Sequence, residues 1–158
     1  ALVYHPLVYA CGRGRDWSAA VRLCQDMRRR GVEVDSVVYG ACTTSCADAH
    51  QWQAALWLAE DLRRAGLPAS TVSHDACMAA CVRGKQWQHA LRLFAELRQE
   101  RCALDAVSFS NAANACAKGA RWEQACLVLA EMQRLGLRLD AVAFDPLVQA
   151  YSAAGRWE

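Results

Sequence analysis

The side chains in this sequence that could do chemistry are thiols, imidazoles, indoles and a spaced set of cations. Cys42 and Cys46, then Cys77 and Cys81, repeat a four-residue spacing. Four thiolates lying about 2.3 Å from one point would make a tetrahedral zinc centre. Neighbouring helices run about 8–10 Å apart and rarely bring four sulfurs to one point, so these cysteines are read as core positions of helices. His50, His74 and His89 share no ligand spacing, and no serine, cysteine or carboxylate forms an evident triad or acid–base pair with them. Neither a phosphate-binding glycine loop nor the His-x-Glu with Pro-Cys-x-x-Cys signature of zinc deaminases occurs. The expectation is a chain without catalytic residues, cofactor or metal. Function is then sought on a surface that several elements share.

What positions these residues is a repeat. Trp17, Trp52, Trp87, Trp122 and Trp157 stand 35 residues apart, and so do Cys11, Cys46, Cys81 and Cys116. A fixed period of this size marks helical units that cannot bury their apolar faces alone and stack on their neighbours instead. Four full repeats, 1–35, 36–70, 71–105 and 106–140, are followed by the start of a fifth, 141–158, in one uninterrupted array. The chain opens on Ala1 and stops at Glu158, where earlier repeats begin their second helix, and is read as part of a longer protein.

Composition narrows the class further. No apolar run approaches the ~20 residues of a membrane span, so a soluble stretch is expected. The formal charge of +2 and pI near 8.2 fall short of the strongly basic balance that would by itself indicate nucleic acid. Nine cysteines at repeat positions that favour small apolar residues fit buried free thiols better than a disulfide framework.

Each repeat reads as two helices. Apolar or small residues at repeat positions 4, 7, 8 and 11 make the buried stripe of the first: Tyr4, Leu7, Val8 and Cys11, or Phe109, Ala112, Ala113 and Cys116. Asp35, Ser70, Asp105 and Asp140 precede these helices as candidate caps. A break falls at Gly14, Gly84 and Gly119, with Ala49 in the second repeat. The second helix then starts at the tryptophan, with its stripe at positions 17, 20, 21, 24 and 27 and alanine always at position 20. The tryptophans are expected to pack between helices and repeats rather than to stack on bases. Gly31, Gly66 and Gly136 should end the second helices on a left-handed residue, and Arg101 in that place should shape the third repeat's end differently. Charges such as Arg28, Arg29, Arg98 and Glu131 are read as a solvated outer face.

A 35-residue two-helix unit with an aromatic at position 4, alanine at 20, Met or Leu at 27, glycine at 31 and often aspartate at 35 resembles the pentatricopeptide repeat family. The stretches YGACTTSCADAHQWQAALWLAEDLRRAGL and FSNAANACAKGARWEQACLVLAEMQRLGL carry the likeness, which covers the whole chain. Tetratricopeptide repeats are one residue shorter and place their tryptophan in the first helix.

The resemblance implies an all-α, right-handed solenoid whose concave face, lined by first helices, binds single-stranded RNA in mitochondria or plastids. One base would be read per repeat by two or three side chains. It assigns base reading to position 5 with position 35, giving His5 with Asp35, Gly40 with Ser70, Asp75 with Asp105, Ser110 with Asp140, and Asp145 without its partner. Ser110 with Asp140 is the pair that matches a common combination, one associated with a purine and most often guanine. Gly40 offers no side chain, and Asp75 with Asp105 sets two acceptor-only carboxylates before an anionic strand. His5 and Asp145 precede Pro6 and Pro146, which disfavours helical geometry at both. By the same resemblance Leu2, Val37, Val72, Val107 and Val142 would sandwich bases, and Arg13, Arg83 and Lys118 would reach phosphates. The alternative expectation is a structural or protein-binding subunit of an organellar ribosome or other large ribonucleoprotein complex, without sequence readout.

Overall fold

The computed structural model describes residues 4–14, 16–68, 70–100 and 102–138, with 144, 145, 148, 149, 152 and 155. The described residues contain eight helices and no strand: α1 Tyr4–Arg13, α2 Trp17–Arg29, α3 Ser36–Asp48, α4 Trp52–Arg64, α5 Thr71–Arg83, α6 Trp87–Gln99, α7 Ala106–Lys118 and α8 Trp122–Arg134. Each of the four full repeats therefore holds one helical hairpin, and its second helix opens on its tryptophan. No described helix is long and apolar enough to cross a membrane. The chain forms two compact bodies, Ala1–Ala80 and Cys81–Glu158.

Backbone hydrogen bonds fix both corners of the hairpin. At the inner corner the position-16 amide returns to the position-11 carbonyl: Asp16 to Cys11 at 3.1 Å, Gln51 to Cys46 at 2.8 Å, Gln86 to Cys81 at 2.7 Å and Arg121 to Cys116 at 2.8 Å. This closure needs one left-handed residue, and it is supplied at position 15 by His50, Lys85 and Ala120, with φ of 58°, 60° and 54°. The expected break at position 14 is thus displaced by one residue. At the outer corner Gly31, Gly66 and Gly136 are left-handed as expected, and the position-32 amides reach the position-27 carbonyls. Arg101 lies outside the described residues, but the same bond closes the third repeat, from Cys102 to the Leu97 carbonyl at 3.3 Å. The pre-proline expectation is corrected as well. His5 and Asp145 are both helical, and at His5 the proline falls in the first turn of α1, where its missing N–H would have no intrahelical partner in any case.

In the body Ala1–Ala80, α1 packs on α2 and α3, α2 on α3, and α3 on α4. Alanine at position 20 lets the next first helix come close. Cys42 donates its thiol to the Ala20 carbonyl at 3.5 Å, and Cys77 makes the same contact with Ala55 at 3.3 Å. Tyr39, fully buried at repeat position 4, donates to Asp61 at 2.6 Å, and Arg28 pairs with the same carboxylate. Burial and this hydrogen bond push the Tyr39 phenol above its ordinary range.

In the body Cys81–Glu158, α6 packs on α7 and α7 on α8. Phe94 and Phe109 meet edge to face at 5.4 Å, and Arg98 bridges to Glu131 at 2.9 Å. Arg28 with Asp61 and Arg98 with Glu131 are one contact at equivalent positions, from a second helix to the next repeat's second helix. Arg28, Arg98 and Glu131 accordingly link repeats, which a solvated-face reading of these charges missed. The partly exposed pair contributes at most about 1 kcal/mol. The buried Asp61 matters more, because it serves two donors.

Glycine at position 119 has a packing reason. Its φ is an ordinary −84°, but a Cβ there would lie 2.7 Å from the indole of Trp87, whose ring also carries Arg121 at 5.0 Å. The half-buried tryptophan fits beneath the next repeat's corner because that corner has no side chain. Gly119→Ala should cost about 1–3 kcal/mol through this collision. The urea midpoint measures it, and an unchanged or higher midpoint would contradict the packing account.

Candidate functional site

Each first helix is held by two buried stripes, and its remaining face is open. Position 3 turns inward, as Val38, Ser73 and Ser108 show. Position 2, one residue earlier, turns outward: Val37, Val72 and Val107 are 58%, 66% and 55% exposed. These valines spend little of their surface on packing within the chain, which argues against a staple to the neighbouring repeat. At the C-terminal ends of α1, α5 and α7, Arg13, Arg83 and Lys118 lie in the last turn, where cations also suit the helix dipole. Asp48 replaces a cation at this place in the second repeat.

The position-35 residues begin as caps. Asp35 accepts from the Val38 amide at 2.9 Å, and Asp105 accepts from the amide and hydroxyl of Ser108 at 3.0 and 3.2 Å. Ser70 accepts from the Ser73 amide at 3.2 Å and shares a proton with its hydroxyl at 2.9 Å. Position 5 is uneven. Gly40 and Asp75 are buried, Ser110 is half-buried and Asp145 is exposed. The side chain of His5, and the whole of Leu2, Asp140 and Val142, lie outside the described residues.

In the body Ala1–Ala80 the open face deepens into a cavity. Between α1, α3 and the start of α5 lies an open space of about 580 Å³, lined by Val37, Val72, Gly40 and Ala41 together with Ser36, Thr44, Ser45 and Ser70. Arg13, Asp48 and the exposed ring of Tyr9 complete its rim. This volume falls in the range of small-molecule sites. Among the cavity's other lining residues, Tyr9 and Thr44 stand at position 9, on the open side of the first helix, while Ser45 stands at position 10, outside that side. Ser45 did carry a signal, since position 10 is alanine in the other full repeats, at Ala10, Ala80 and Ala115. Position 9, which varies as Tyr9, Thr44, Ala79 and Asn114, carried a signal of spacing alone, since it falls with positions 2, 5, 12 and 13 on the side of the first helix that the buried stripe leaves open.

The other constellations fall into the core. Cys42, Cys46, Cys77, Cys81 and Cys116 are buried and form no disulfide. Hydrogen bonding with Cys24, then burial, drives the Cys42 thiol upward, and burial pushes Cys46 and Cys116 to about 11 and Cys81 to about 12. Burial thus works against the thiolate form of Cys42, Cys46, Cys81 and Cys116. Among the described residues no group of His, Cys, Asp or Glu could hold a metal ion. His74 is buried with Nδ1 3.4 Å from the Ser70 carbonyl, while His50 and His89 are exposed elsewhere.

The family model described as PPR repeat matches residues 3–32, 72–102 and 107–137, more than half of the chain. No curated protein matches it. Among solved structures, PPR10 from maize is 28% identical with a TM-score of 0.69, covering 97% of this chain and 22% of PPR10. PPR10 in complex with an 18-nt psaJ RNA element gives 25% and 0.77 over the same shares. The chain thus spans about a fifth of PPR10. The PPR domain of Arabidopsis thaliana protein-only RNase P 1, in complex with tRNA, is 13% identical with a TM-score of 0.83, covering 95% of this chain and 79% of that one. Nuclear proteinaceous RNase P 2 of A. thaliana is 14% identical with a TM-score of 0.85, covering 99% and 35%. The likeness to these two shows the fold alone.

The thiol assignment has a direct check. In the native chain at pH 8 an aromatic disulfide reagent should modify no more than Cys11, Cys102 and Cys126, the three that are not buried, and reach the other six only on unfolding. Rapid reaction of Cys42 or Cys77 in the folded protein would contradict the packing described.

Proposed function

Because the chain belongs to the pentatricopeptide repeat family, we propose that the strip along its first helices binds single-stranded RNA. The observation that carries this reading is the exposed valine series Val37, Val72 and Val107, with cations at the far ends of the first, third and fourth first helices. Aliphatic side chains at this spacing offer flat apolar contact to successive bases, and Arg13, Arg83 and Lys118 offer phosphate contacts. The RNA held by PPR10 supports the class of ligand. In this reading Val37, Val72 and Val107, with Leu2 and Val142 at the ends of the array, sandwich bases. The pairs His5 with Asp35, Gly40 with Ser70, Asp75 with Asp105 and Ser110 with Asp140, followed by Asp145, face base edges.

The biological role is then maturation, stability or translation of a transcript, without catalysis by this stretch. The family points to a mitochondrion or plastid, although the fold itself carries no address, since one structural relative is described as nuclear. The uneven position-5 series favours a second reading, a scaffold in a large ribonucleoprotein complex. Gly40 has no reading side chain, and the Asp75 side chain is buried. Trp57 and Leu127, exposed on second helices, would suit a protein partner there.

An anisotropy titration with a random single-stranded 20-mer separates the two. With about 0.7 counterions released per phosphate contact, three cations give a log–log salt slope of roughly −2. Replacing Arg13, Arg83 and Lys118 together by alanine should flatten the slope toward zero while the helical content holds. Absence of binding at low salt, or a slope indifferent to the triple substitution, would favour the scaffold.

A further inference from the structure

We propose that the inner corners of the third and fourth repeats carry a second RNA contact, in which Lys85 and Arg121 hold phosphates of a base-paired stem beside the single-stranded tract. The inference rests on the RNA-binding reading and adds to it residues at positions 15 and 16, outside the strip along the first helices. Both corners belong to the body Cys81–Glu158.

Arg121 is the informative residue. It stands at the N-cap of α8, where in the first repeat Asp16 caps α2 by accepting from the Ala19 amide at 3.0 Å. Arg121 makes no such cap, and it sets a cation at the positive end of a helix, which the macrodipole disfavours. Such a choice calls for another reason. The guanidinium lies over the Trp87 ring, 5.0 Å from its centre. Stacking there holds the side chain, while its N–H donors have no hydrogen-bond partner among the described residues. An arginine fixed in this way is ready to fork onto a phosphate.

The interlock of Trp87 with Gly119 gathers further cations around the same ring. Lys85 stands two residues before Trp87, Lys118 immediately precedes Gly119, and both are exposed, as Arg121 is. The acid nearest in sequence is Glu123, in the first turn of α8. Among the described residues no ion pair involves Lys85, Lys118, Arg121 or Glu123. The other inner corners are mixed in sign: Asp16 follows Arg13 and Arg15 in the first repeat, and the second carries Asp48 and His50. The concentration of positive charge is therefore local, and the period of the chain does not require it.

The chemistry of the corner selects a stem over a further length of single strand. Proteins hold single strands by charge together with aromatic faces on which bases stack. Here the indole at the centre of the cluster already carries Arg121 and packs against Gly119, so the corner offers charge and not a stacking surface. Charge alone suits RNA whose bases are already stacked on one another and which is contacted through its phosphates. Lys118 closes the strip on α7 three residues before Arg121, so a strand held there leaves the strip at this corner. A stem that begins at that point brings a second backbone to Lys85 and Arg121.

The test titrates a uridine 12-mer, and the same tract with a short hairpin stem at either end, into the native chain, Lys85→Gln, Arg121→Gln and the double variant. In the native chain a stem at one end should steepen the log–log salt slope by about 1.5, the worth of two phosphate contacts. Its advantage over the bare tract then shrinks about eightfold between 50 and 200 mM salt. The double variant should lose that advantage and keep its affinity for the bare tract. Gln51 and Gln86 occupy the place of Arg121 in other repeats, so Arg121→Gln should leave the melting curve unchanged. Lys85→Gln, at an exposed corner residue, should by itself remove about half of the added slope, and it decides the matter if Arg121→Gln unfolds. Equal affinity for stem and bare tract in the native chain overturns the second contact but leaves RNA binding standing. An advantage that survives the double variant overturns the role given to Lys85 and Arg121. Equal weakening of bare tract and stem by the variants shows that these cations serve the single strand, and the stem assignment falls. It falls too if a polyglutamate peptide binds as tightly as the stem and depends on the same two residues. Failure to bind any RNA overturns both readings.

Discussion

The close approach of each first helix to the second helix before it governs this structure. Alanine at position 20 and a small residue at position 7 remove the side chains that would hold the two helices apart. The thiols of Cys42 and Cys77 then reach the carbonyls of Ala20 and Ala55 directly. Such contacts are individually weak, but they fix the rotation of the helix about its own axis. Once position 7 faces the preceding helix, position 3 must turn inward and position 2 outward. The exposed valines and the terminal cations are therefore consequences of core packing.

Links between repeats follow the same economy of one contact used many times. Arg28 with Asp61 and Arg98 with Glu131 join second helices at equivalent positions, and Tyr39 ties the first such bridge to the core. Gly119 and Trp87 interlock at a corner. The stability of such an array is close to a sum of repeat and nearest-neighbour contributions, so a local departure from the pattern is tolerated where its neighbours hold. That tolerance lets the second repeat carry Gly40 inside a helix without losing the fold.

Most of the fold was legible in the sequence because the period, the tryptophan register and the buried stripes all repeat. What escaped depended on single residues. Glycine at position 14 looked like the turning residue, but the left-handed conformation falls on His50, Lys85 and Ala120, and at Gly119 the glycine answers to the Trp87 ring instead. Arg28, Arg98 and Glu131 looked solvated because periodicity shows which face a residue occupies but not which neighbour reaches it. Pro6 looked disruptive beside His5, yet the first turn of a helix accommodates it. The candidate site divides similarly. The position-2 series and its exception at position 5, Gly40, were visible in the sequence, whereas the cavity beside them was not, because it also draws on Ser36, Ala41 and Ser45, which belong to no recurring series.

The central claim is that RNA runs along the outward face of the first helices, and photochemical crosslinking tests it most directly. A single-stranded RNA bearing 4-thiouridine would be bound to the chain, irradiated, and the adducts located by mass spectrometry of the peptides. The account requires adducts in peptides from α3, α5 and α7 that contain Val37, Val72 or Val107. Adducts concentrated instead on the exposed sides of α4 and α8, around Trp57 and Leu127, would contradict it.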